Sequence, residues 1–293
     1  MTTSVKLVAL AALLMGAVAV QAQDAVTFKR VYTNGAVEKY TLSSQMTSNT
    51  DLSSVGQESQ SMDIDSSMDA TFTYSAVKED GSALINFLYN NIKIKAEGPM
   101  AEMMGNMGDQ TPKEIKGTQK IDIFGRITET KLEGATASMM GMMSGGSNAW
   151  DMFSFFVFPD KAVKIGDTWE FEMPTMGGMF PKGSKLNGKF VGAGEAGDKK
   201  TWNLEFTGKP KITMDIGKMM ADNPNANANG MPPMNIVMEG DNAMKVKISV
   251  DQTTFQILSA ETASETVAKV KLVDMGMEFP STSQLISKLV LKK

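Results

Sequence analysis

The sequence predicts an all-β protein built mainly from antiparallel strands. The clearest observation is an alternation of apolar and polar residues that continues for fifteen residues, from Met62 to Ala76. A second is Asn34-Gly35 between two β-prone runs, which favours a hairpin because both residues tolerate positive φ. Patterns with helical spacing are scarce. Together these observations indicate strands with one apolar face and one solvated face, connected by polar turns.

The N-terminal residues have the pattern of a cleavable export signal. Lys6 precedes an apolar run from Leu7 to Val20, and the run ends in Val20-Gln21-Ala22, a small-residue cleavage pattern. The run is shorter than the roughly 20 residues that a bilayer-spanning helix needs. We therefore predict a signal peptide at residues 1–22, a periplasmic or secreted mature chain, and no transmembrane helix after cleavage. The chain has no cysteine, so it has no lipobox cysteine and no disulfides.

The first β-rich unit is predicted at residues 23–133. Strands are expected near 26–32 and 36–47, on either side of the Asn-Gly pair. The alternating strand follows, and a turn at Glu79-Asp80-Gly81 leads to its partner. Residues 98–112 interrupt the alternation with Gly, Pro and Met, and they are expected to form a loop.

A Met, Gly and Ser linker with an aromatic joint, residues 134–160, precedes a second β-rich unit at residues 161–293. The order of strands and interrupting loop repeats there, which indicates an internal duplication. We expect two packed sheets or curved half-barrels with few short helices, and an edge strand near the C-terminus. The aromatic residues in and just after the joint predict a core anchor: Trp150, Phe153, Phe155, Phe156, Phe158, Trp169 and Phe171.

The segment from Phe158 to Trp169 reads FPDKAVKIGDTW. It resembles the Pro…Val-Lys-x-Gly-Asp-x-Trp motif of an exported bacterial family of unknown function. The resemblance implies an exported, β-rich, duplicated fold, loosely similar to the half-barrels of periplasmic lipoprotein carriers, and it implies no active site. The pattern itself is that of a structural corner, in which a glycine turn delivers a tryptophan to the core. The motif residues are Pro159, Val163, Gly166, Asp167 and Trp169.

Composition excludes several functions. The chain has no histidine and no cysteine, so Ser-His-Asp and Cys-His catalysis and His-based zinc sites are ruled out. A net charge of −4 gives no basic field for a nucleic-acid partner. We therefore predict a protein that is not an enzyme, has no cofactor and does not bind nucleic acid.

Methionine is the compositional anomaly, with 26 residues in the chain. Its flexible, polarizable side chain suits surfaces that adapt to hydrophobic partners. The preferred hypothesis is an exported, non-enzymatic envelope protein that binds a lipid, another hydrophobic ligand or an envelope protein partner. The loops at 98–112, 134–147 and 217–239 are its expected lids.

Two alternatives stay open. Thioethers also select Cu(I), and the candidate copper ligands are Met100, Met103, Met104, Met107, Met139, Met140, Met142 and Met143. An outer-membrane β-barrel also shows alternating segments of about ten residues.

Overall fold

A computed structural model describes residues 24–99, 112–133, 157–173, 180–215 and 235–292. These residues form twelve β-strands, each antiparallel to its neighbours, which confirms the predicted all-β class. Two short 3-10 turns, Ser53–Val55 and Val273–Met275, lie between strands. The strands are β1 Val37–Thr50, β2 Gln60–Ser75, β3 Ala83–Glu97, β4 Glu114–Ile121, β5 Ile127–Leu132, β6 Thr168–Glu172, β7 Lys185–Ala196, β8 Lys199–Gly208, β9 Lys211–Asp215, β10 Ile236–Asp251, β11 Ile257–Leu272 and β12 Met277–Leu291.

The strands join in a single open sheet with the order β5-β4-β3-β2-β1-β12-β11-β10-β8-β7-β6, and β9 pairs with β10. Strands of the two predicted units meet where β1 pairs with β12, from Tyr40 opposite Leu291 to Thr50 opposite Ser281. The units therefore share one hydrogen-bonded ladder. The duplication itself stays a prediction.

The C-terminal strand lies at the centre of the sheet, so the expectation of an edge strand is wrong. β12 pairs with β1 on one side and with β11 on the other. Its one lysine, Lys288, lies on the solvent face and forms an ion pair with Glu261 of β11. Charged residues on one face do not prevent pairing on both edges, because ladder hydrogen bonds lie in the plane of the sheet.

The hairpin expected around Asn34-Gly35 is also wrong. Gly35 does form a turn, with φ of 80°, but the preceding residues leave the ladder and cross the end of the sheet. The amide of Arg30 donates to the carbonyl of Ile123 at 2.8 Å, and that of Val31 to Thr254 at 3.1 Å. Phe28 is fully buried by this path. Burial of aromatic area therefore outweighs local pairing in this segment.

The sheet has an inner, apolar face and an outer, polar face. Along β2, Met68 and Ala70 are buried while Asp63 and Asp65 are exposed, as the alternation predicted. The outer face carries ion pairs across neighbouring strands, among them Lys269–Glu278 and Lys245–Glu205. Among the described residues, no helix combines the length and hydropathy that crossing a bilayer requires.

The sheet curls until both of its edges reach the same segment. Phe158 donates its amide to the carbonyl of Phe124, in the turn between β4 and β5, at 2.9 Å. Trp169 of β6 donates its indole N–H to the carbonyl of Val157 at 3.3 Å. Because β5 and β6 are the two ends of the strand order, these bonds require a strongly curved sheet. The inner face is therefore the concave one.

One end of this concave face is filled, and we call it the packed end. There residues 24–33, the turn at 122–126, residues 157–163 and the turn at 251–256 come together. Phe28 lies at its centre, with ring centroids 5.1 Å from Phe190 in an edge-to-face contact and 5.4 Å from Phe255. Such pairs add to the burial of apolar area, so the packed end is a firmly built aromatic core.

Candidate functional site

A buried charged cluster lies in the packed end. The Nη2 atom of Arg30 is 2.7 and 2.6 Å from the two carboxylate oxygens of Glu38. The hydroxyls of Tyr40 and Tyr74 are each 2.7 Å from Oε2 of the same carboxylate. The Arg30 guanidinium also lies 5.5 Å from the ring centroid of Tyr32. With 9% and 12% of their side chains exposed, Arg30 and Glu38 form a neutral pair that is sequestered from solvent.

The ionisation of the cluster is set by burial and by the pair itself. Burial acts to raise the pKa of Glu38, but the charge of Arg30 and hydrogen bonds from Arg30, Tyr74 and Tyr40 together lower that pKa below its ordinary value. Burial raises the pKa of Tyr40 and of Tyr74 well above the ordinary value, and the negative charge of Glu38 also raises both. At neutral pH the carboxylate is therefore ionised, and both phenols remain hydrogen-bond donors.

A cavity of about 80 Å³ adjoins this cluster on the inner face. Its polar wall is formed by Arg30, Glu38, Tyr40, Tyr74 and Gln119. A water needs about 10–15 Å³ by this measure, whereas whole ligand pockets reach about 300–1,000 Å³. The cavity can thus take several waters or the end of an apolar group. Its apolar lining includes Leu42, Ala70, Phe72, Phe158, Ile257 and Leu289.

A row of hydroxyl side chains crosses the inner face beside the cavity, and we call it the hydroxyl row. Its members are Ser66, Ser44, Ser287 and Thr262, on β2, β1, β12 and β11 in that order. Each is in register with the next. On the same face, two residues away along β1 and β12, Leu42 and Leu289 line the cavity. At about 3.4 Å per residue, the row is about 7 Å from that lining.

The four hydroxyls differ in their hydrogen bonds. The oxygens of Ser44 and Ser66 lie 2.6 Å apart and bond to each other. Thr262 and Ser287 are 1% and 2% exposed. Their hydroxyl oxygens have no hydrogen-bond partner within the part of the chain that the structure describes. Two buried donor-acceptor groups thus stand next to each other, unsatisfied, across the β11–β12 ladder.

Beyond the hydroxyl row, the inner face is less buried on β1 and β2. Met46 and Ile64, in register on β1 and β2, are partly exposed, and Leu285 of β12 completes their row. Along the five strands in the middle of the sheet, β2, β1, β12, β11 and β10, Glu38 is the one charged side chain on the inner face. The inner surface of these strands is therefore mainly apolar, interrupted by uncharged polar side chains that include the hydroxyls and Asn242.

The structural motif residues form a corner outside the cavity. Val163 makes an isolated bridge to Val26, and Pro159 is buried. Gly166 has φ of 93° and donates its amide to the carbonyl of Phe190 at 2.8 Å. The carboxylate of Asp167 accepts the amide of Lys164 at 2.8 Å and thereby closes the turn. After the corner, Trp169 packs against Phe206, with ring centroids 5.8 Å apart.

The methionines proposed as copper ligands, at 100–107 and 139–143, lie outside the described residues. So does most of each expected lid, although residues 236–239, expected in a loop, open β10 instead. Within the described ranges, no group of three or more His, Cys, Asp or Glu side chains could hold a metal ion. The copper alternative stays a prediction.

Comparisons with known proteins identify no family. No family model matches the sequence, and no curated protein matches it. Among solved structures, the chain is similar to lipovitellin, from a study of its lipid–protein interactions, with a TM-score of 0.49 and 10% identity. That match covers 89% of this chain and 25% of the lipovitellin chain, so this chain spans about a quarter of that protein.

A second similar structure is DynF from the dynemicin biosynthesis pathway of Micromonospora chersina. The TM-score is 0.22 and the identity 8%, over 90% of this chain and 83% of DynF. Both similarities are too weak to assign a function.

Proposed function

We propose that this is an exported, non-enzymatic envelope protein that binds a lipid or another hydrophobic ligand against the inner face of its curled sheet. One observation carries the proposal: a cavity with an apolar lining opens beside a concave apolar face that is only partly buried on β1 and β2. Concave, mostly apolar sites with few polar groups are the usual form of a small-molecule site. The ligand would place an apolar end in the cavity and extend over Leu42 and Leu289.

The groups at the cavity support binding more than catalysis. Arg30 and Glu38 neutralise each other, and the carboxylate already accepts hydrogen bonds from two tyrosines. A general acid or base needs a pKa near the working pH, but the pKa of Glu38 is lowered and those of Tyr40 and Tyr74 are raised. The cluster therefore fixes the wall of the cavity without supplying a group that exchanges protons near neutral pH.

Export and the envelope location rest on the sequence, through the signal pattern at residues 1–22. Cell fractionation with an antibody to the mature chain tests this part separately. Processing at Ala22 and recovery in the periplasmic or secreted fraction would support it, whereas an unprocessed cytosolic protein would contradict it.

Leu289→Phe tests the binding site. The larger side chain enters the cavity from β12, so we expect the affinity for a neutral hydrophobic dye, N-phenylnaphthylamine, to fall about tenfold, which corresponds to about 1.4 kcal/mol. The matched control is Val290→Phe, one residue along the same strand, where the side chain is 39% exposed on the outer face. Fluorescence titration measures both, and mass spectrometry of extracted protein identifies any lipid that co-purifies.

The two variants separate the outcomes. If wild type, Leu289→Phe and Val290→Phe bind the dye with equal affinity, the dye binds elsewhere and the proposed site is overturned. A wild-type protein that binds no dye and carries no lipid would overturn the function itself.

A further inference from the structure

We infer that the hydroxyl row is a subsite for an uncharged ester group, held between two apolar segments of a neutral lipid. This inference rests on the proposed function, because it names the ligand class for the same inner face. Its basis is the pair of buried hydroxyls of Thr262 and Ser287, which face each other across the β11–β12 ladder without a partner in the described ranges.

An unsatisfied buried hydroxyl is destabilising, and apolar residues are compatible with this row. The residue opposite Thr262 on its other side is Val246 of β10, which is fully buried on the same face. Valine has the shape of threonine without the hydroxyl, so packing alone does not require a hydroxyl here. A bound group that forms hydrogen bonds with Thr262 and Ser287 would satisfy both oxygens.

The surroundings select an uncharged group. Glu38 is the one inward charge on the five middle strands, and Arg30 already neutralises it. A carboxylate or phosphate at the hydroxyl row would be buried without a counter-charge, which is strongly unfavourable. A hydroxyl can donate a hydrogen bond to an ester carbonyl or accept one from an alcohol, so an uncharged polar group fits the row.

The apolar residues on both sides of the hydroxyl row favour an ester over a long-chain alcohol as the bound group. Leu42 and Leu289 lie on one side of the hydroxyl row, toward the cavity, and Met46, Ile64 and Leu285 lie on the other. Neighbouring rows are about 7 Å apart along the strands. A ligand bound along the strands would therefore have a polar group flanked by apolar segments. An ester that joins two hydrocarbon chains has this pattern, whereas a long-chain alcohol has its polar group at one end.

Competition against N-phenylnaphthylamine tests the inference with the full mature chain. The competitors are a long-chain fatty-acid butyl ester, an alkane of the same length and the free fatty acid, each dispersed in the same mild detergent. We expect the wild type to prefer the ester to the alkane by about tenfold, the effect of one or two net hydrogen bonds. In the double variant Thr262→Val with Ser287→Ala, that preference should disappear while dye and alkane still bind.

The matched control is Thr282→Val on the outer face of β12, where the side chain is exposed. This variant should keep the ester preference, and circular dichroism should show native strand content in both variants. Ester preference that survives in the double variant, equal affinity for ester and alkane, or preference for the free fatty acid would each overturn the subsite while hydrophobic binding still stands. If the wild type binds neither dye nor competitor, the proposed function fails together with the subsite.

Discussion

The packed end and the hydroxyl row lie on the same concave face and share strands, but their buried polar groups differ in whether they have hydrogen-bond partners. β1 contributes Glu38 and Tyr40 to the packed end and Ser44 to the row. In the packed end, the Glu38 carboxylate accepts hydrogen bonds from Arg30, Tyr40 and Tyr74. In the row, Thr262 and Ser287 are more deeply buried than Glu38 but are unpaired among the described residues. The first arrangement is complete as it stands, whereas the second can gain hydrogen bonds from a bound molecule.

The two regions also differ in what fills them. Four aromatic side chains, Phe28, Phe158, Phe190 and Phe255, close the packed end. Around the row, most inward residues are aliphatic, among them Leu42, Leu285 and Leu289. The packed end is therefore held by aromatic contacts, whereas the row is a polar strip between aliphatic residues.

Arg30→Ala should produce the largest effect, because it leaves Glu38 buried without its counter-charge. Removing one partner of a buried pair typically destabilises by about 3–5 kcal/mol, and urea unfolding would measure the loss. The matched control is Lys288→Ala, whose partner Glu261 is exposed on the outer face. Exposed pairs contribute about 0–1 kcal/mol. Similar losses in the two variants would show that the packed end does not depend on the buried pair.

Acid should weaken the packed end through Glu38. Its pKa in the folded protein is below the ordinary value of 4.5. Its contribution to stability is therefore present above the ordinary pKa and is lost as pH falls through the folded-state pKa. The free energy of unfolding should decline below about pH 4.5 in the wild type and less steeply in Glu38→Gln. Glu261→Gln, on the outer face, should follow the wild type; a Glu38→Gln curve parallel to both would contradict the assignment.

The smallest effect is expected at the hydroxyl row, with the opposite sign. Thr262→Val with Ser287→Ala removes two unsatisfied buried hydroxyls while keeping most of their volume, so in the absence of ligand the protein should be unchanged or more stable by up to about 1 kcal/mol. Thermal unfolding of lipid-free protein measures this. A loss above about 2 kcal/mol would mean that these hydroxyls have partners in the folded chain, and the contrast with the packed end would disappear.

The sequence predicts the fold class and the solvated face because both follow from local alternation. The pattern from Met62 to Ala76 is enough to place the buried and exposed sides of β2. Strand order is not a local property, so the central position of β12 could not be derived. The path of residues 24–33 was mispredicted for a related reason: the burial of Phe28 depends on partners that are far away in sequence, including Phe255.

The candidate site was missed almost entirely at the sequence level. Arg30 and Glu38 look like ordinary surface charges until the chain crosses the end of the sheet and brings them together. The hydroxyl row did leave a signal, because β1, β11 and β12 have polar residues at both strand parities, as in Thr41-Leu42-Ser43-Ser44. A strand with one buried face usually alternates between apolar and polar residues. Polar residues at both parities depart from that alternation, and the departure coincides with the hydroxyl row.

The ladder between β1 and β12 has a consequence for folding kinetics. It joins residues separated by most of the chain, such as Tyr40 and Leu291, so it contributes heavily to contact order, which slows folding. Until that ladder forms, β1 and β12 each have an unpaired edge that can pair with another molecule. Synthesis reaches β12 long after β1 has emerged, so the nascent chain carries an open edge for much of its translation. The edge of β1 therefore stays open to pairing with another molecule until β12 has been synthesised and has joined the sheet.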